Sequence, residues 1–124
     1  MSSDPAEPRL DELLTVESAR VGSSVVVAVK GEIDIATGPR LRAALAEALD
    51  EPGSGPVVVD LSKVTFLGST GVAVLVDADW QANQRKRDLR VVVDRERPAV
   101  VRPLESTGID RLLSTYGDLQ SALG

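Results

Sequence analysis

The stretch from Val57 to Val76 constrains this chain more than any other. It opens with Val57-Val58-Val59-Asp60-Leu61, a short apolar run bounded by turn residues, which reads as a buried strand. A second apolar run restarts at Val72 and lasts long enough for a buried helix, turning polar near Asp77. Between the two stand the adjacent hydroxyls of Ser69 and Thr70, flanked by Gly68 and Gly71. A hydroxyl residue just ahead of an apolar periodic run marks a helix start, so Ser69 is the expected cap. The mouth of such a helix presents free backbone N–H groups and a partial positive charge, which suit an anion such as phosphate.

Strand and helix alternate through the rest of the chain. Residues 1–12 are polar, contain Pro5 and Pro8 and show no periodicity, so a loose tail is expected before a single domain over residues 13–124. Leu14 and Val16 alternate with Thr15 and Glu17 as a half-exposed strand, and Val25 to Lys30 is nearly continuous β-branched sequence. The short turn between them predicts an antiparallel hairpin. Thr37 or Gly38 caps the next helix, whose Leu41, Ala44, Leu45, Ala48 and Leu49 keep to one face. Leu89 to Val93 reads as another strand. A third helix starts at Pro98 and stops at Gly108, with Pro103 expected to bend or break it. Leu112 and Leu113 suggest a last strand, and Asp118 caps a terminal helix carrying Leu119, Ala122 and Leu123. The order β-β-α-β-α-β-α-β-α predicts an α/β fold, a mixed, mostly parallel sheet of four to five strands with about four helices.

Composition narrows the chemistry. The 124 residues include one Phe, one Trp and one Tyr, so the core must be aliphatic, with Trp80 at its edge. Cysteine and histidine are absent, which removes thiol and zinc–thiolate chemistry, the commonest general base and the commonest metal ligand. No metal or cofactor is expected. A net charge of −5 argues against nucleic acid as a partner, and Arg85-Lys86-Arg87 reads as a solvated helix end. No apolar run approaches the roughly 20 residues that span a bilayer, and no signal peptide is evident, so a cytoplasmic protein without a membrane partner is expected.

Parallel strands place the loops at their carboxyl ends along one edge of the sheet, where α/β folds keep their sites. Glu32 and Asp34 follow the second strand, and Gly68-Ser69-Thr70-Gly71 follows the third. Neither loop has the spacing of a nucleophile elbow or a phosphate-binding P-loop, so the chain is read as a non-enzyme. Ser69 as a plain cap, Thr70 as a first-turn residue and Asp34 as the anchor of an Asx turn are the structural alternatives to a functional role.

The run Asp60-Leu61-Ser62-x-Val64-x-Phe66-Leu67-Gly68-Ser69-Thr70-Gly71 resembles the signature of the anti-sigma-factor antagonists, the bacterial STAS domain proteins. Gly31-Glu32-Ile33-Asp34 with Thr37, and Val101-Arg102-x-Leu104 with Ser106-Thr107-Gly108-Ile109, resemble two further segments of that family. The resemblance implies a partner switch that regulates sigma-factor-dependent transcription. The unmodified protein would bind an anti-sigma factor, a GHKL-type serine/threonine kinase. Phosphorylation of the second hydroxyl, Thr70 here with Ser69 as the alternative, would release it, and a PP2C-type phosphatase would reset the switch. Glu32, Asp34, Gly68, Ser69, Thr70 and Gly71 are the partner-binding residues so implied. Gly68 departs from the family's usual Asp, which alters local charge and backbone freedom. The competing assignments are a STAS subunit of another assembly, stressosome-like or lipid-transporting, and a small nucleotide-binding domain.

Overall fold

Valines at consecutive positions are explained by a sheet covered on both faces. The computed structural model describes residues 13–124, so the expected tail at residues 1–12 lies outside the described residues. Five strands, β1 (Leu14–Val21), β2 (Ser24–Ile33), β3 (Val57–Leu67), β4 (Leu89–Val92) and β5 (Ser114–Tyr116), pair in sequential order. The first pair is antiparallel and the other three are parallel, as the sequence predicts. Helices α1 (Gly38–Asp50), α2 (Ser69–Gln84) and α3 (Pro98–Ser106) connect the parallel strands. A one-turn helix α4 (Ile109–Leu112) and a short terminal helix α5 (Leu119–Leu123) complete the chain.

Alternate valines serve two cores. Val25, Val27, Val57, Val59 and Val91 pack with Leu41 and Leu45 of α1, Leu75 of α2 and Leu104 of α3. Val26, Val58 and Val92 point the other way, onto Ala122 and Leu123 of α5. Parallel strands buried on both faces therefore read as continuous apolar runs rather than alternating ones. The Asp118 carboxylate caps α5 as expected, accepting from the Ser121 N–H at 2.7 Å.

Four expectations need correction. The third strand continues six residues past Leu61, because two register irregularities against β2 disguise its alternation (between Ala28 and Lys30, and between Gly31 and Glu32). The last strand lies at Ser114–Tyr116. Leu112 ends α4 and is exposed, and the extended backbone starts only at Leu113. Pro103 sits inside α3 without ending it, and the Thr107 hydroxyl closes the final turn by donating to the Pro103 carbonyl at 2.6 Å. Arg87 is buried, not solvated. Its guanidinium donates to the carbonyls of Gly55, at 3.0 Å, and Glu51, pinning the loop between α1 and β3.

The second core depends on one cation. Arg90 donates to the carbonyls of Ala122 (2.7 Å) and Gly124 (3.1 Å), and its guanidinium lies 5.7 Å from the centre of the Tyr116 ring. Arg90→Ala should lower unfolding free energy by about 1–3 kcal/mol and speed amide exchange in α5 far more than in α1. Exchange that rises equally in both helices would contradict this division of the core.

Candidate functional site at the carboxyl edge of the sheet

Ile33 and Leu67 end β2 and β3 opposite one another, and both are buried. The chain leaves β3 at Gly68, whose N–H donates to the Ile33 carbonyl at 2.8 Å. Its backbone is extended (φ −85°, ψ 177°), and its carbonyl accepts the first helical bond, from Val72 N–H at 3.1 Å. Gly68 is therefore the N-cap of α2. Ser69, expected there, is the first helical residue and exposed, and no side chain among the described residues caps this helix.

Close approach selects glycine at the next corner. A methyl at Gly71 would lie 2.5 Å from Leu67 Cδ1 and 2.7 Å from Ile33 Cγ2, so α2 sits directly on the two strand ends. At Gly68 a methyl would come 3.2 Å from Phe66 Cε2, because the Phe66 ring lies alongside that backbone. Any side chain at this position would need the exposed ring to give slightly. That gives the departure from the family's Asp a physical setting.

The companion loop is built by its own side chains. Asp34 Oδ1 accepts from the N–H groups of Ala36 (2.9 Å) and Thr37 (3.0 Å), an Asx turn leading into α1. The buried Thr37 hydroxyl donates to the Glu32 carbonyl at 2.8 Å and accepts from Asp34 N–H at 3.0 Å. Thr37 is the N-cap of α1 by position, but Asp34 supplies the acceptor. Donation from the Thr37 N–H, joined by that of Ala36 and opposed by partial burial, holds the Asp34 carboxyl below its ordinary value of 3.8.

These two loops meet. Glu32 pairs across the strands with Phe66, and the space a methyl would need at Gly38 is taken by Thr70 Cγ2, 2.7 Å away. Thr70 therefore leans toward α1 and is half-buried, whereas Ser69 faces outward. The Glu32 carboxylate is exposed, with no ion pair among the described residues. All six residues singled out in the sequence thus lie along one edge.

Comparison with known proteins now bears on this arrangement. The family model described as Mlab, STAS domain matches residues 16–114. The chain belongs to the STAS domain family. Curated relatives that it matches include anti-sigma-factor antagonists. It is 31% identical to the anti-sigma-F factor antagonist RsfB of Mycobacterium tuberculosis over 89% of this chain and 87% of that protein. Identity to RsfA of the same organism is 35%, covering 82% and 78%. The crystal structure of an anti-sigma factor antagonist from Mycobacterium paratuberculosis superposes with a TM-score of 0.80 at 33% identity, covering 89% and 91%.

Two exposed apolar side chains near this edge of the STAS domain were not singled out as exposed by the sequence reading, and a third was misplaced by it. Ile35, 83% exposed, projects beside the Asx turn, and Phe66 is 44% exposed next to Gly68. Trp80, expected at the core edge, is 61% exposed on the outer face of α2. An apolar residue inside a hydrogen-bonded turn was the available signal for Ile35. The irregular register hid Phe66.

Two substitutions test the geometry. Gly71→Ala should cost about 1–3 kcal/mol by overpacking. Asp34→Ala should cost about 1 kcal/mol through the freed N–H groups. Because the folded-state pKa of Asp34 is lowered, its contribution is complete above 3.8 and lost as pH falls through the folded value. Urea titrations should therefore show the gap between wild type and Asp34→Ala closing below that pH; a constant gap would refute the assignment.

Proposed function

We propose that this STAS domain is an anti-sigma-factor antagonist that binds an anti-sigma factor of the GHKL kinase type while Thr70 is unmodified. Phosphorylation of Thr70 by that kinase releases the partner, and a PP2C-type phosphatase restores binding. The observation that carries this reading is the meeting of the Glu32–Asp34 loop with the uncapped start of α2, where Ser69 and Thr70 stand between exposed apolar side chains. The names of RsfB and RsfA support the partner class.

A phosphate adds about −1.5 to −2 charge and three acceptor oxygens. At a helix start the free N–H groups and the helix dipole offset that charge, so the fold tolerates it. Within a docked surface the same dianion must lose its water. An uncompensated charge there costs about 2–5 kcal/mol, which corresponds to roughly a 30- to 5,000-fold loss of affinity. Ser69 is the second candidate acceptor because it is the more exposed hydroxyl.

The test is titration of the full chain against each anti-sigma factor of its source organism, with and without ATP, and mass-spectrometric mapping of phosphate. Wild type should bind one of them and be released as Thr70 becomes phosphorylated. Thr70→Ala should stay bound in ATP, and Thr70→Glu should bind at least roughly 30-fold more weakly. If both variants bind like wild type, the switch is not at Thr70.

A further inference from the structure

An open groove of about 590 Å³ runs between α2 and α3, floored by Leu67, Val72, Ala73, Pro103 and Ile109. Ser69 stands in its lining, so the groove begins at the mouth of α2. Thr70, against Gly38, lies on the opposite flank of that helix. Trp80 is seven residues beyond Ala73, two helical turns along the same face, and extends the apolar surface past the groove. From Ser69 to Trp80 this face is about 16 Å long at 1.5 Å per residue.

Arg102 is the one charged side chain lining the groove. It is exposed and forms no ion pair or hydrogen bond with any described residue. Arg20, Arg42, Arg85, Arg90 and Arg97 each face a carboxylate, and Arg95 and Arg111, which also lack an ion pair among the described residues, do not line this groove. In a chain of net charge −5, a lone guanidinium beside an apolar trough selects a particular complement. That complement is a segment apolar along one side and carrying a carboxylate, which the guanidinium can grip through two parallel hydrogen bonds. The floor is also prepared for cover, since Ala73 and Pro103 have almost no side-chain freedom to lose.

We infer that this groove seats an acidic, apolar-faced segment of the anti-sigma factor, with its carboxylate on Arg102 and its apolar side chains over Ala73 and Pro103. The inference rests on the function proposed above and adds a second contact area on the far flank of α2 from Thr70.

Calorimetric titration of the full-length chain with the anti-sigma factor that binds it tests this. Arg102→Gln should weaken binding at least roughly tenfold and flatten its dependence on salt, and Arg102→Lys should recover most of the loss. Ala73→Phe, which fills the trough, should weaken binding by a similar factor. Because Thr70 and Arg102 act on opposite flanks, the losses from Thr70→Glu and Arg102→Gln should multiply. Melting temperatures matching wild type would assign these losses to the surface. If Arg102→Gln and Ala73→Phe bind like wild type while Thr70→Glu still releases the partner, the groove is not the seat, although the switch stands. Disruption of a homodimer by Arg102→Gln, with partner binding intact, would give the groove to a second copy instead. If the unmodified chain binds no anti-sigma factor, the functional reading falls and this inference with it.

Discussion

At the carboxyl ends of β2 and β3, Ile33 and Leu67 lie side by side out of solvent, and α2 rests on both of them through Gly71. That contact, with the bond from Gly68 N–H to the Ile33 carbonyl, decides where the two hydroxyls stand. Neither loop at this edge is free to wander. One is stitched by Asp34 and Thr37, and the other is held between a strand end and a helix start. On the proposed function, a rigid edge would let phosphorylation of Thr70 alter binding without the fold moving, because the partner would meet an unchanged backbone carrying a new charge.

The surroundings divide the surface between charge and apolar area. Glu32 and Asp34 stand on the α1 side of the hydroxyls, and Arg102 stands on the α3 side. Ile35, Phe66 and Trp80 expose apolar area near and beyond them. Mixed surfaces of this kind, with aromatic side chains among sparse charges, are typical of protein interfaces. The strand order runs from β1 to β5 without reversal, so helices α1, α2 and α3 line one face of the sheet. Among the described residues, such an order has no reversal point of the sort at which open α/β sheets hold nucleotides.

The alternation of strands and helices was legible because each local signal agreed with the packing. Leu41, Leu45, Ala48 and Leu49 repeat at helical spacing and are buried where that spacing puts them. Val25 to Val27 and Val57 to Val59 announce a sheet covered on both sides. What stayed hidden depended on partners distant in the chain. Arg87 reads as surface until the loop from Glu51 to Gly55 folds over it. Ser69 looks like a cap until the Ile33 carbonyl draws Gly68 into that place. Trp80 was misplaced because large aromatics are buried on average, and its exposure follows from the orientation of α2 rather than from its own type. For the candidate site, sequence placed the two loops on one edge of the sheet, where the structure has them, but not that Thr70 leans on α1 while Ser69 looks toward α3.

The irregular pairing of β3 with β2 has a consequence for how such chains can vary in length. Between Asp60 and Leu67 the strand uses two more residues than the β2 segment opposite it, from Ala28 to Ile33. Along the last four residues burial runs in-out-out-in, so Thr65 and Phe66 both face water and Leu67 turns inward where α2 begins. Since side chains on a regular strand alternate with a period of two, removing one residue of this outward pair would restore alternation and keep Leu67 inward, while shortening the path to α2 by about 3.3 Å. Length in this span therefore sets where the mouth of α2 stands relative to the Asp34 loop, rather than which side chains are buried.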